Sequence, residues 1–304
     1  MDIVPDERCD LETLLHAPED PPQPGISWLG QAGFLIRWRA LRLAIDPYLS
    51  DYLATKYRGT QFPHTRLAPP PVAPERLAPL QVVLCTHAHS DHMDPETLPR
   101  IAAANPQCRF VVPRAERATA LARGVPAPRL VPVNAGDHVP LAPDLTLQVL
   151  PAAHEQLRTD AEGNHHCLGY VLHLVLDQGT AALYHSGDCV PFAGLDTALA
   201  ACGARVALLP VNGRDEHRRA HGIPGNFTFD EATALCLRCR ISAMMACHFG
   251  MFDFNTVDES WLDRQIARVP ALLQCLRPQL GRVCWLRSRH TVAPAATPDQ
   301  GTLS

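Results

Sequence analysis

The stretch Cys85-Thr86-His87-Ala88-His89-Ser90-Asp91-His92 constrains this chain more than any other. The apolar run Val82-Val83-Leu84 leads into it and reads as a buried strand that ends in a turn crowded with metal-ligand side chains. Imidazoles and a carboxylate at this spacing cannot share one strand face. On a loop they converge, His87 and His89 closing on one ion while Asp91 and His92 reach a second. A solvated turn has no need of this spacing, so a metal site is the better reading.

The same punctuation recurs downstream. Leu145 to Leu150 alternates as a strand and ends at Pro151-Ala152-Ala153-His154. Leu168 to Leu176 and Ala181 to Tyr184 read as a hairpin about Asp177-Gln178-Gly179, whose second arm runs into His185-Ser186-Gly187-Asp188. Val206 to Leu209 exits at Pro210-Val211-Asn212-Gly213-Arg214-Asp215, and Met244 to Cys247 ends at His248. His87, His154, Asp188 and His248 thus each stand where an apolar strand stops, and ligands delivered by strand ends onto one rim make a rigid site. Leu41 to Ile45 stops in the same way at Asp46-Pro47, which places Asp46 either against that site or in plain turn chemistry before proline. His185, still on its strand, reads as a support for the ligands rather than a ligand.

Helical signals fall between and after the strands: Asp94-Pro95 opening a helix to Ala104, a helix from Arg114 to Arg123, and a capping box at Thr228–Glu231 that starts a helix to Cys239. This order predicts an α/β protein with two sheets face to face and helices outside. Residues 1–25, acidic and Pro-rich, read as a lead-in with at most one short helix around Leu11 to His16. Residues 26–289 read as a single domain, and the Ala/Pro/Thr-rich tail 290–304 as disordered. The Pro-dense segment 48–79 reads as a long loop, with Tyr48, Tyr52, Tyr57, Arg58, His64 and Arg66 as lid or substrate-contact residues.

A formal net charge of -4 provides no field for a polyanion, so nucleic acid is a poor partner. No apolar run is long enough to span a bilayer, and the first residues lack a secretory pattern, which predicts a cytoplasmic chain. The 11 Cys are scattered rather than framing a scaffold, so most read as small buried apolar residues. Asn212, Arg214, Arg218 and Arg219 follow a strand that should end on the metal rim, and the planar guanidinium fork suits a substrate phosphate or carboxylate.

The chain resembles the metallo-β-lactamase superfamily, in which a His-x-His-x-Asp-His loop is followed by a His, a Gly-Asp and a His at strand ends. Trp28-Leu29-Gly30-Gln31-Ala32-Gly33, Asp46-Pro47, Tyr184–Asp188, Pro210–Asp215 and His248-Phe249-Gly250-Met251-Phe252 resemble its L-ascorbate-6-phosphate lactonase branch. N-acylphosphatidylethanolamine-hydrolysing phospholipases share the Trp-Leu-Gly start and the Asp-Pro. The resemblance implies a four-layer αβ/βα sandwich of two mixed sheets. It also implies a first metal on His87, His89 and His154, a second on Asp91, His92 and His248, and Asp188 between them. Two divalent ions, zinc or manganese, would share a hydroxide, with Asp91 and Asp188 as the catalytic carboxylates. The implied substrate is a small molecule, a sugar lactone that carries a phosphate or lacks one. A phosphodiester is the alternative, and self-association into a homo-oligomer is left open.

Overall fold

Short runs of β-branched, aromatic and aliphatic residues build two sheets, which the computed structural model describes over residues 1–17, 20–177 and 179–288. The strands of the first half are β1 (Asp2–Asp10), β2 (Gly25–Gly30), β3 (Gly33–Trp38), β4 (Leu41–Ile45), β5 (Val82–Leu84), β6 (Arg109–Pro113) and β7 (Leu130–Val133). Those of the second are β8 (His138–Ala142), β9 (Leu145–Pro151), β10 (Leu168–Leu176), β11 (Gly179–His185), β12 (Val206–Pro210), β13 (Ala243–Cys247) and β14 (Gln274–Leu276). A final strand, β15 (Arg282–Arg287), returns to the first sheet. The sheet orders are β1-β15-β2-β3-β4-β5-β6-β7 and β14-β13-β12-β11-β10-β9-β8. Both are mixed: β4 to β7 and β11 to β14 run parallel, while the remaining pairs are antiparallel.

Helices α1 (Leu11–His16), α2 (Tyr52–Lys56), α3 (Thr97–Ala104) and α4 (Arg117–Ala122) belong to the first half. Helices α5 (Leu195–Ala201), α6 (Glu216–Ala220), α7 (Phe229–Arg238) and α8 (Glu259–Ile266) belong to the second. Strand alternation explains the layers. Along β3, Phe34, Ile36 and Trp38 join Leu147, Val149 and Leu172 in the core between the sheets, while Leu35 faces outward to Leu14, Leu98 and Ile101 on α1 and α3. Phe229, Ala232 and Leu235 of α7 cover the second sheet. This is the expected α/β sandwich with helices outside.

Some elements differ from expectation. The lead-in contains the helix at Leu11–His16, and it also supplies β1, paired with β15 at the sheet edge. Pro5 and the charged residues of β1 hid it, and edge strands carry such residues because one side of the ladder is unpaired. Edge strand β8, with Pro140, went unread for the same reason. The helix expected from Asp94 begins at Thr97, with Asp94 accepting from the Glu96 N–H in the turn before it. The loop 48–79 contains α2 and a 3-10 turn at Pro74–Arg76. The tail expected to be disordered lies outside the described residues. Among those described, no helix is long and apolar enough to cross a membrane.

Candidate metal centre

The loop after β5 is fixed by both sheets before any ligand side chain is considered. Cys85 N–H donates to Val111 O (2.9 Å), Leu168 N–H donates to Thr86 O (2.9 Å), and the Tyr170 hydroxyl donates to Cys85 O (2.7 Å). Asp46, fully buried at the end of β4, accepts from Thr86 N–H (2.7 Å) and the Thr86 hydroxyl (2.6 Å) and bonds His92 Nδ1 (2.7 Å). That contact holds the His92 ring with Nε2 turned toward the other ligands, as carboxylate–histidine pairs do at metal sites. Asp46 therefore belongs to the site rather than to turn chemistry alone.

His185 acts one step further back. Its Nε2 lies 2.8 Å from Ala32 O and its Nδ1 accepts from Gly187 N–H (3.0 Å), so its neighbours fix an uncharged ring with the proton on Nε2. Burial, its largest influence, lowers its pKa in agreement. The ring braces the Gly187 turn, at φ +60, that aims Asp188.

Two groups of ligand atoms result: His87, His89, His154 with Asp188, and Asp91, His92 with His248, each with its atoms within 4.8 Å of one another. Asp188 joins them. Its Oδ1 stands 3.3 Å from both His92 Nε2 and His248 Nε2, and its Oδ2 stands 3.5 Å from His154 Nε2. The strand ends thus bring all seven candidate residues singled out in the sequence to one rim.

The donor set fits divalent cations. His87 Nε2 is buried without a hydrogen-bond partner, an arrangement that costs about 1–3 kcal/mol unless something else satisfies it, while His92 Nε2 and Asp188 Oδ1 face each other at 3.3 Å. Burial, reinforced by neighbouring imidazoles, holds His87 well below the usual histidine range, and burial brings His154 down to about 4. Both rings are therefore uncharged at pH 7, the state in which an imidazole can hold a cation. Burial opposes charge on His92 and Asp188 as well. There it is outweighed: Asp188 and Asp46 raise His92 well above its usual value, and His248 and His92 depress Asp188 well below the carboxylate range. Positive φ at Gln31 (+50), Asp46 (+45) and His248 (+60) gathers backbone strain at this rim, where ligand geometry over-determines it.

A cavity of 580 Å³ opens over the centre, with His89, Asp91, His154, Asp188 and His248 at its floor. Tyr57, Phe62, His64 and Phe252 line one side; His64 stacks on Tyr57 at 4.3 Å and meets Phe252 edge-on at 5.0 Å. Lys56 and Arg123 bring positive charge to the wall.

The arginines expected to hold substrate are not there. Arg214 makes a two-pronged bond to Glu231 (2.6 and 2.6 Å) and donates to Asn226 O. Arg218 bonds Asp215, Asn255 Oδ1 and Asn212 O, while Asn212, buried, bonds Asn255 and Asn226. These side chains brace the wall behind Asn255, which itself faces the cavity. Their partners come from distant positions, so a list of basic residues could not reveal that the forks were taken. Arg219 lies 3.6 Å from Glu155, away from the cavity. From segment 48–79, Tyr57 and His64 face the cavity, while Arg66 stacks on Tyr48 and bonds loop carbonyls instead. Lys56, Phe62, Arg123 and Gln31 carried no sequence signal of their own. Cys189 is no ligand: its thiol donates to Val190 O (3.4 Å), and burial pushes it up to about 12.

Fold and family make this a metal-dependent hydrolase of the metallo-β-lactamase fold. The chain belongs to the β-lactamase superfamily: residues 42–249 match the family described as "Beta-lactamase superfamily domain". A UPF0173 metal-dependent hydrolase of Pyrobaculum neutrophilum is 28% identical over 189 residues, covering 61% of this chain and 71% of that protein. N-acyl-phosphatidylethanolamine-hydrolyzing phospholipase D 1 of Caenorhabditis elegans is 29% identical over 146 residues, 46% of this chain and 40% of that one. Among solved structures, Igni18, a metallo hydrolase of Ignicoccus hospitalis, superposes with a TM-score of 0.64 at 17% identity, covering 88% of this chain and 100% of that one. That likeness is one of fold.

Proposed function

We propose that the seven ligands hold two divalent cations, zinc or manganese, and that the protein opens a lactone or related ester carrying an anionic group, a phosphorylated sugar lactone being the type. The observation that carries this reading is the convergence of seven His and Asp side chains, five of which line the floor of an open cavity. Two cations bound there would acidify a water to a pKa of about 7 and polarise the bond under attack.

The chain's own residues supply the rest. Asp188, with one oxygen toward each ligand group, partitions its charge between the two positions. Asp91, 15% exposed at the cavity floor, accepts the proton of the attacking water. Tyr57, Phe62 and Phe252 offer flat apolar faces for the carbon face of a sugar ring, and Lys56 and Arg123 take the anionic group in place of Arg214 and Arg218.

A phosphodiester is the second reading, favoured by the likeness to the nematode phospholipase D. Metal-reconstituted protein assayed on phosphorylated lactones, plain lactones and bis(p-nitrophenyl) phosphate separates the two, with Asp188→Ala as the inactive control. Faster turnover of the phosphorylated lactone, lost selectively in Lys56→Ala, supports the first reading. Turnover of the diester alone replaces it with the second, and no turnover of any of them by the metal-loaded protein rejects both.

A further inference from the structure

Gln31 lies outside the seven ligands, yet its carboxamide stands among them. The residue is fully buried, and its main-chain carbonyl accepts from the Trp28 indole N–H (2.9 Å) and the His248 N–H (2.8 Å). The second bond ties the β2–β3 turn to the end of β13, and together they fix where the side chain starts. Its Nε2 is 2.8 Å from Asp91 Oδ2 and 3.2 Å from His248 Nε2, whereas its Oε1 is buried with no partner.

An N–H donated to Asp91 is ordinary, but one aimed at His248 Nε2 competes for the lone pair a cation there needs. The two ends of a carboxamide are alike in shape and can exchange by rotation of the amide. Turned over, the oxygen would take the position now 2.8 Å from Asp91 Oδ2 and 3.2 Å from His248 Nε2. Adjacent ligand atoms that each lie about 2.0–2.2 Å from one ion at near-octahedral angles stand about 3 Å apart, which matches both separations. The turn leaves an N–H where the partnerless oxygen was, so its driving force is the cation itself.

We propose that Gln31 is a metal ligand, its carboxamide oxygen completing the position formed by Asp91, His92 and His248. The inference rests on the proposal that this position holds a cation. A neutral oxygen ligand favours manganese, which takes more and harder ligands than zinc, so Gln31 sets metal preference as well as affinity.

The test is metal binding, measured by equilibrium titration of the full chain with manganese alone and with zinc alone. Gln31→Leu should weaken the second manganese equivalent about tenfold or more, weaken zinc much less, and leave the first equivalent unchanged. Gln31→Glu, which keeps an oxygen donor, should restore or tighten manganese binding; thermal unfolding of the metal-free variants verifies that each folds. Equal weakening of both metals in Gln31→Leu, together with weaker manganese binding in Gln31→Glu, would reduce Gln31 to a hydrogen-bond donor for Asp91 and overturn the proposal. Unchanged binding in both variants would overturn it as well. A wild-type chain that takes up a single equivalent would instead remove the two-cation reading on which it rests.

Discussion

Gly187→Ala probes how tightly the fold aims Asp188. Gly187 sits at φ +60, and a Cβ built there would meet Thr86 Cβ at 2.7 Å, Oγ1 at 2.8 Å and Cγ2 at 3.0 Å. Thr86 cannot swing aside, because its hydroxyl and its N–H are both bonded to buried Asp46, at 2.6 and 2.7 Å. The left-handed backbone costs alanine about 1–2 kcal/mol. Overpacking adds about 1–3 kcal/mol, and the stiffer unfolded chain returns about 0.4–1 kcal/mol. The net loss should be about 1–5 kcal/mol. Gly213→Ala is the matched control, since its φ of +63 imposes the same strain while the nearest atom, Thr228 Cγ2, is 3.6 Å away. Urea unfolding of the metal-free proteins should therefore separate the two variants by about 1–3 kcal/mol, the overpacking contribution alone. Only Gly187→Ala should also weaken metal binding, because relief of the clash moves either Thr86 or the turn that carries Asp188. Equal destabilisation by the two substitutions, or unchanged metal affinity in Gly187→Ala, would refute the reasoning.

Asp46→Asn should weaken the cation held by His92 about 10- to 100-fold in a competition titration with a chelator, since the amide cannot satisfy Thr86 N–H, the Thr86 hydroxyl and His92 Nδ1 together. Arg214→Ala should lower stability without changing discrimination between phosphorylated and plain substrates, because its guanidinium is held by Glu231. The Arg214 hydrogen bond chiefly holds the Glu231 carboxyl below the usual range, so its stabilisation is present above the unfolded pKa of about 4.3 and lost as pH falls through the folded value. Glu231→Gln should therefore destabilise the protein at pH 7, and the gap from wild type should narrow as pH falls below the unfolded carboxyl's pKa in urea unfolding. Phe62→Ala should raise KM roughly 5- to 30-fold with a smaller change in kcat, as expected for the loss of about 1–2 kcal/mol of apolar contact.

The sequence displayed the candidate ligands because each is a metal-donor type at a strand end, and both donor type and strand end are local properties. His154 and Asp188 lie far from the His87–His92 loop in sequence, yet each follows an alternating run that stops abruptly. What supports the ligands was less visible. Asp46 could be placed only as one of two alternatives, because its partners Thr86 and His92 come from another strand end. Gln31 lies within the Trp28–Gly33 motif, but its reach to Asp91 and His248 depends on a positive φ that no local pattern discloses. The arginines after β12 misled for the opposite reason: a guanidinium reads as available until its carboxylate is located, and Glu231 lies on α7. β1 was missed because edge strands carry the proline and charges that mark loops elsewhere.

Metal stoichiometry tests the central claim most directly. Elemental analysis of gel-filtered protein after titration should find about two equivalents of zinc or manganese in the wild type, and about one after His248→Ala or His154→Ala. A wild-type chain that retains no metal, or variants that retain as much as the wild type, would contradict the account.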